Sequence, residues 1–366
     1  MIVQLIRAAD GKHLWSGTYE RQMREVFSTE EEIASTIVTA LRLKLGGQSH
    51  HTNSVQGFEL YLRGRQAFDL QSRLALEYFE QAASADPNFA PAYAGIAEAV
   101  YRAYMNVQSY AQAHQRAMAA AEKSLALDPE LPDAYIALAE IKVWDFAFPD
   151  AERAFRRAIA LNPSDARAHL DLGYLVLAPL GRFDEAIREV RRVRVLDPLS
   201  FETGEFVQLS LLMAQRYEDV EKQGRADLAR YAARADAYPW LALALSFQGK
   251  SGEAMETIRA AKQRSGTNQG TDWIMACVSV RAGQREEALR MLRENLPPAL
   301  TSPPVSRRLF QICSCLGDQQ HAIEYAEKAY AEHDVLLPTF LSYPTTAWLR
   351  SDPAFAALRQ RVGLPK

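Results

Sequence analysis

Small and apolar residues follow the spacing of one helix face through most of this 366-residue chain. In the clearest stretch, Tyr135, Leu138 and Ala139 stand at positions i, i+3 and i+4, which predicts a helix with one buried face. The spacing returns at Ala151 and Phe155 after a turn at 145–150. The stretch therefore predicts two antiparallel helices joined by a short turn.

The small residues of this pair have a physical reason. Ala139 and Ala151 are expected to face each other where the helices cross, because larger side chains would push the two axes apart. Asn162-Pro163 ends the second helix, since proline lacks an N–H and disfavours a helical residue before it. Arg167, at the start of the following pair, is expected on a polar surface.

The two-helix pattern recurs at a nearly fixed interval. The position of Ala151 returns after 35, 34, 34, 34 and 34 residues, and a glycine lies in the turn before four of these six positions. A fixed period in this range indicates a solenoid. The equivalent positions are Ala151, Ala186, Val220, Ala254, Ala288 and Ala322, and the turn glycines are Gly181, Gly249, Gly283 and Gly317.

A 34-residue unit of helix, turn and helix resembles the tetratricopeptide repeat (TPR). Eight such repeats fit between about Val55 and His333. The second has eight extra residues, expected between its helices, and the fourth has one extra residue, expected at its Ala178-Pro179-Leu180 turn. The predicted fold class is all-α, a TPR-type α-solenoid with a short N-terminal β-hairpin plus helix and a C-terminal capping helix.

Residues 1–46 depart from the repeat. Ile2–Arg7 and His13–Tyr19 flank an Asp10-Gly11 turn, which predicts a β-hairpin, and Ser28–Glu31 has the form of a capping box that begins a helix. This stretch resembles the end of the small α/β domain that precedes repeat arrays in bacterial winged-helix transcriptional regulators, class III adenylate cyclases and serine/threonine kinases. The resemblance implies that residues 1–46 are a truncated form of that domain, either because the start codon is misplaced or because the chain is a natural remnant.

An open strand edge carries unpaired N–H and C=O groups, so we expect either self-association through residues 1–20 or disorder of these residues. Residues 47–54 are predicted to be a polar linker, whose His50-His51 pair has no cysteine or carboxylate cluster nearby to complete a metal site. The TPR superhelix is predicted at 55–333, interrupted by an extended proline-rich connection at 295–306. Residues 334–366 are predicted to form a C-terminal cap with a final helix that has Ser351 or Asp352 as its N-cap and Pro353 in its first turn.

Composition narrows the class of partner. The net charge of −3 and a pI near 6.2 argue against nucleic acid, and no stretch of 18 uninterrupted apolar residues predicts a membrane span. Three cysteines suggest no disulfide framework and fit a reducing compartment, so a cytoplasmic location is expected, or a periplasmic one if the native chain carries an upstream anchor. Cys313 and Cys315 would point apart on a helix and could not share a metal.

The sequence contains no phosphate-binding glycine loop, dinucleotide fingerprint, zinc-binding HExxH or nucleophile elbow. We therefore predict neither enzymatic activity nor a cofactor, and no catalytic or metal-binding residue is assigned. Binding is expected instead in the concave groove.

In the TPR family, the first helices of successive repeats line that groove. Their inward positions here mix aromatic, aliphatic and arginine residues, and they lack the Lys and Asn clamp that holds a partner's terminal carboxylate. This mixture favours a helix or extended protein segment as the partner. The predicted partner-binding residues are Glu98, Tyr101, Arg102, Glu140, Trp144, Tyr174, Glu205, Met213, Phe247, Trp273, Arg281, Arg307 and Gln311.

The sequence thus favours a non-enzymatic TPR scaffold that serves as the sensory or regulatory part of a bacterial signalling system. An alternative is the C-terminal regulatory fragment of an adenylate cyclase, protein kinase or DNA-binding regulator whose effector domain is missing from this chain. An enzyme in its own right is a further alternative, for which the sequence offers no catalytic constellation.

Overall fold

The computed structural model describes residues 2–6, 13–18, 52, 54–70, 74–107, 110–196, 202–230, 238–265, 272–294 and 305–365. The predicted helix after Ser28, the His50-His51 pair and most of the proline-rich connection lie outside these residues. The chain divides into two compact units, Met1–Ala92 and Tyr93–Lys366. The domain boundaries proposed from the sequence stay a prediction.

The first unit contains the predicted hairpin. Ile2–Ile6 pairs antiparallel with His13–Thr18, with Ile2 opposite Thr18 at the open end. Each strand ends one residue before its predicted limit. The hairpin prediction is confirmed.

The same unit contains the first helix pair, Val55–Asp69 with Leu74–Ala85. A Cβ atom at Gly64 would lie 2.6 Å from the ring of Phe79, so the crossing of these two helices requires a residue without a side chain. Ser54 begins the first helix by accepting a hydrogen bond from the backbone N–H of Gly57 at 3.0 Å.

The described residues form eight consecutive antiparallel helix pairs, as the repeat period predicts. They are numbered here as repeats 1 to 8, and the first helix of repeat 4 continues as a π-helical segment, Leu172–Leu177. The pairs after repeat 1 are Ala90–Val107 with Tyr110–Leu127, Pro132–Trp144 with Phe148–Leu161, Ala166–Asp171 with Phe183–Leu196, Glu202–Met213 with Tyr217–Arg230, Pro239–Phe247 with Ser251–Ser265, Asp272–Arg281 with Arg285–Glu294, and Val305–Leu316 with Gln319–Ala331.

The turn inside a repeat keeps one geometry while its sequence varies. In repeat 6, Gly249 has φ +77°, its N–H donates to Ser246 O at 3.2 Å, and Lys250 N–H donates to Leu245 O at 3.0 Å. This pair of bonds is the Schellman motif that ends a helix. Gln215 takes the same left-handed conformation in repeat 5, with φ 57°. The solenoid therefore requires this turn even where no glycine is available to make it easily.

The extra residue of repeat 4 lies inside its first helix and not at the turn, where we expected it. The backbone N–H of Ala178 donates to Gly173 O at 3.0 Å, a bond that spans five residues and marks a π-helical turn. A Cβ atom at Gly173 would lie 2.8 Å from Val190 Cγ2, so the two helices are in close contact there. The π-helical turn accommodates the one extra residue of the 35-residue interval and leaves this helix contact unchanged.

The eight extra residues of repeat 2 also lie in its helices. Ala90–Val107 and Tyr110–Leu127 have 18 residues each, so the expectation of a long connection between them is wrong. An amphipathic helix can be lengthened by whole turns while the same face stays buried.

The residues predicted at the helix crossing are buried. Ala139, Ala151 and Phe155 are fully buried and belong to one continuous hydrophobic core. Such a core forms between neighbouring repeats, because a single helix pair cannot bury both of its faces.

The predicted C-terminal cap is present. It consists of a short helix Leu337–Leu341, a 3₁₀ helix Pro344–Ser351 and a capping helix Pro353–Arg361. Asp352 begins the capping helix, as expected, because its Oδ1 atom accepts backbone hydrogen bonds from the next turn at 2.8 and 3.0 Å.

Candidate functional site

Two predicted groove residues of repeats 2 and 3, Glu98 and Glu140, belong to a charged cluster with Arg167 and Asp171, which are half-buried. The Arg167 guanidinium donates from Nη1 to Glu98 Oε2 at 2.6 Å and from Nη2 to Glu140 Oε1 at 2.5 Å. Its Nε atom lies 3.6 Å from Asp171 Oδ2. Glu98 is fully buried and Glu140 is 2% exposed. The expectation that Arg167 lies on a polar surface is therefore wrong, since two buried carboxylates hold it inside.

Burial controls the protonation of this cluster. Loss of solvent raises the pKa of Glu140 to about 7, although Arg167 acts to lower it. Burial likewise raises the pKa of Asp171. Burial would lower the pKa of Arg167, but Glu140 and Glu98 outweigh it and raise that pKa well above its usual value. The cluster is thus a charged core in which Glu140 can take up a proton near neutral pH.

Trp144, one helical turn after Glu140, packs against two other aromatic rings. Trp144 is fully buried and meets Tyr101 and Tyr110 edge to face, with ring centroids 5.4 and 5.3 Å apart. The Tyr110 ring stacks on His333 at 3.6 Å, so residues after repeat 8 reach back to repeat 2. Arg102, also predicted for the groove, is exposed.

The groove residues of repeats 4 to 8 surround an aromatic cluster, made of Tyr174, Trp240, Trp273, Phe340 and Tyr343. Tyr343 is fully buried, with its ring centroid 6.2 Å from Trp240 and 5.9 Å from Trp273. Phe340 lies 4.8 Å from Tyr343 and 5.5 Å from Trp273. Phe340 and Tyr343 come from the cap, which therefore lies on the predicted groove.

Polar contacts hold the same cap segment. Gln311 Nε2 donates to the backbone oxygen of Phe340 at 3.2 Å, and Gln311 Oε1 accepts from Thr345 Oγ1 at 2.9 Å. Arg307 donates to Asp334 at 2.6 Å and places its guanidinium 4.8 Å from the centre of the Phe340 ring. Ser342 Oγ donates to Pro179 O of repeat 4 at 3.2 Å. Two predicted groove residues, Arg307 and Gln311, thus bind the chain's own residues 334–345.

Two further predicted residues contribute to packing. Glu205 Oε1 accepts a hydrogen bond from Trp240 Nε1 at 3.0 Å, which orients the indole in the aromatic cluster. Met213 is 2% exposed and belongs to the hydrophobic core.

Phe247 and Arg281 differ from the rest because they border an open cavity of about 290 Å³. Its lining includes the Cys277–Cys315 disulfide, whose Cα atoms are 5.0 Å apart. The sequence suggested no disulfide framework, and it gave no signal for this single bond. Cysteines 38 residues apart come together because the first helices of repeats 7 and 8 lie side by side. Cys313 has a free thiol and is buried.

Sequence reasoning missed four residues that decide this site: Arg167, Trp240, Phe340 and Tyr343. A signal for Arg167 was available, since buried carboxylates at two predicted groove positions require a cation nearby. Residues 336–343 contain more apolar side chains than are needed to cover the exposed face of a terminal repeat. That excess was a signal that this segment inserts into the groove.

Among the residues that the structure describes, no cluster of histidine, cysteine and carboxylate side chains is arranged to hold a metal ion. Within the same residues, none of the helices has both the length and the apolar character needed to cross a membrane.

Comparison with solved structures places the fold among TPR α-solenoids. The Cut9–Hcn1 hetero-tetramer of the APC/C has a similar chain, with a TM-score of 0.53 and 11% identity over 91% of this chain and 59% of that one. A tetratricopeptide repeat protein from Parabacteroides merdae ATCC 43184 has a TM-score of 0.52 and 13% identity over 70% of this chain and 98% of its own. At these identities the likeness establishes the fold alone, and it confirms the predicted fold class.

No family model matches the chain. A putative adenylate cyclase 3 of Rhizobium meliloti (strain 1021) is 29% identical over 163 residues, which cover 41% of this chain. The matched part spans 28% of that relative's length. The resemblance to winged-helix regulators and kinases stays a prediction.

Proposed function

We propose that the chain is a non-enzymatic protein-interaction scaffold, the regulatory part of a bacterial signalling system, which binds a peptide segment of its partner on the concave side. One observation carries this proposal. The inward positions of repeats 6 to 8 already hold a partly irregular segment of the chain itself, residues 337–346.

We expect a partner segment to be bound by the same kinds of contact that hold residues 337–346. Aromatic faces of Trp240 and Trp273 receive aromatic side chains, Gln311 bonds to main chain, and Arg307 lies over a ring. Side-chain pockets combined with main-chain hydrogen bonds are a general mode of segment recognition. The partner segment binds beside the cap, where Phe247 and Arg281 are accessible, and residues 337–346 complete the surface.

Two observations favour a signalling role. The partial match to a putative adenylate cyclase agrees with the resemblance of residues 1–46 to the domain found in such proteins. It also supports the alternative that this array regulates a catalytic or DNA-binding domain in a longer chain. An in-frame effector domain in the genomic DNA upstream of Met1 would favour that alternative, and a stop codon there would favour an independent scaffold.

Site-specific cross-linking in the native host tests the binding proposal. A photoreactive amino acid replaces Phe247 in the full-length chain, and the matched control carries it at Arg293, an exposed position on the second helix of repeat 7. We expect a discrete cross-linked protein from position 247 and none from position 293. Equal cross-linking at the two positions, or none at either, would contradict the proposal.

A further inference from the structure

The open cavity lies between the first helices of repeats 6, 7 and 8 and the 3₁₀ helix of the cap. Its lining includes Phe247 and Arg281 from repeats 6 and 7, and Thr345 and Trp348 from the cap. The Cys277–Cys315 disulfide joins two of the helices that enclose it. The cavity measures about 290 Å³.

Arg281 carries a charge that no carboxylate among the described residues balances. Its guanidinium carbon lies 4.0 Å from the centre of the Phe247 ring, which stacks on Tyr217 at 4.8 Å. The titratable group that acts on Arg281 is the Tyr217 hydroxyl, and burial lowers the pKa of Arg281. Arg307, in the next repeat, is by contrast paired with Asp334. The Phe247 ring thus fixes the position of the Arg281 guanidinium but does not neutralise its positive charge.

The other polar groups of the lining are already engaged within the chain. Thr345 Oγ1 donates to Gln311, Ser314 Oγ donates to Phe310 O at 2.7 Å, and Trp348 Nε1 donates to Ser314 O at 3.0 Å. Arg281 is therefore the group in the lining with donors available to a ligand. Trp348 is 42% exposed and offers an apolar face beside it.

The size of the cavity decides the kind of occupant. Sites for whole small molecules measure roughly 300–1,000 Å³ and bury most of the ligand. This cavity lies at the lower limit of that range, and its rim is formed by the exposed Arg281 and Trp348. It has room for one or two side chains of a longer segment whose remainder stays outside.

We propose that this cavity binds an acidic side chain of the partner segment, with its carboxylate on the Arg281 guanidinium and an adjoining apolar side chain against Trp348. The proposal rests on the proposed function, and it adds the chemistry of the partner: an acidic residue beside an aromatic or aliphatic one. Arginine forms paired hydrogen bonds with carboxylates, so aspartate or glutamate is preferred over the corresponding amide.

A peptide-display selection on the full-length chain tests the proposal and does not require the natural partner. Randomised peptides are selected on the immobilised protein, and the best binder is synthesised with its acidic residue as Glu, Gln or Lys. Affinities are then measured by fluorescence anisotropy for the native chain, for Arg281→Glu and for the control Arg293→Glu. Circular dichroism spectra of all three proteins confirm that they are equally helical.

We expect selected peptides to contain an acidic residue next to an apolar one. Glu→Gln in the peptide, or Arg281→Glu in the protein, should weaken binding at least about tenfold, because a charge-assisted contact is lost. The Lys peptide should bind Arg281→Glu better than it binds the native chain, and Arg293→Glu should bind like the native chain.

Two results would overturn the inference in different ways. Peptides that bind with equal affinity to the native chain and Arg281→Glu would contradict the acidic site while leaving segment binding intact. A selection that enriches no peptide would count against the acidic site and against the proposed function together.

Discussion

The charged cluster and the aromatic cluster occupy equivalent surfaces of successive repeats, yet the chain fills them by opposite means. In repeats 2 to 4, two buried glutamates close on Arg167. In repeats 6 to 8, Trp240 and Trp273 close on Phe340 and Tyr343 from the distant cap. The first surface is thus completed by an arginine from within the repeats, and the second by residues that follow them.

The difference has an energetic meaning. Burying an ion pair involves a desolvation cost that offsets much of its attraction, so the charged cluster contributes little net stability while it is intact and a large loss when one partner is removed. Aromatic burial contributes in proportion to the area removed from water, and truncation reduces it gradually. The two clusters should therefore respond differently to substitution.

The largest effect is expected for Arg167→Met. This variant leaves Glu98 and Glu140 buried without their cation, which should lower the free energy of unfolding by about 3–5 kcal/mol. Urea denaturation monitored by circular dichroism measures the loss. Adding Glu98→Gln and Glu140→Gln to the same chain should restore much of it. A single variant that unfolds at the native midpoint would show that the cluster is solvated.

The disulfide beside the aromatic cluster should give the next largest effect. Reduction, or Cys315→Ser, should lower the free energy of unfolding by about 2–4 kcal/mol, because the bond closes a loop of 38 residues in the unfolded chain. Reductant should not change the stability of Cys315→Ser itself. If the oxidised, denatured protein reacts with iodoacetamide at three thiols instead of one, the bond does not form.

Phe340→Leu tests the aromatic cluster alone. It removes ring contacts with Tyr343 and Trp273 and the cation contact with Arg307, and we expect a loss of roughly 1–2 kcal/mol. Amide exchange should become faster through residues 337–346. Val195→Ala is the control, since that side chain is 69% exposed and should change stability by less than about 0.5 kcal/mol. Equal effects of the two variants would contradict insertion of the cap.

The smallest effect concerns pH and the charged cluster. The pKa of Glu140 rises from 4.5 to about 7 in the folded state, so the folded state binds this proton more tightly than the unfolded state. This group should therefore add stability as pH falls from about 7 towards 4.5 and lose that contribution as pH rises through 7.

Urea midpoints of the native chain and Glu140→Gln at pH 5.5 and pH 8.0 measure this contribution. His169, whose pKa is raised by its bond to Glu189, titrates in both proteins and cancels in the difference. On going from pH 8.0 to pH 5.5, the free energy of unfolding of the native chain should rise by at least about 1 kcal/mol more than that of Glu140→Gln. Parallel pH profiles would show that Glu140 titrates normally.

The repeat pattern predicted the helices because it depends on local rules. Spacing placed the buried faces around Ala139 and Ala151, and the Asp352-Pro353 signal placed the last helix. The eight repeats and the hairpin followed from such signals, and the structure confirms them.

Errors arose where distant parts of the chain meet. Nothing in the period says that Arg167 bridges glutamates 69 and 27 residues away, or that Cys277 meets Cys315. The residue type at an inward position indicates that the residue belongs to the groove surface, but it does not indicate which other residues pack on that surface. Whether the predicted groove residues bind a partner stays a prediction.

The return of the cap to earlier repeats has a consequence for how the protein folds. An open repeat array can form repeat by repeat, because each contact is local. Here the contact between Ser342 and Pro179 joins residues 163 positions apart, and His333 stacks on Tyr110. Long-range closures of this kind raise contact order and slow the final step of folding. On the ribosome, repeats 2 to 8 can become helical as they emerge, but Trp240 and Trp273 stay uncovered until Phe340 and Tyr343 have also emerged.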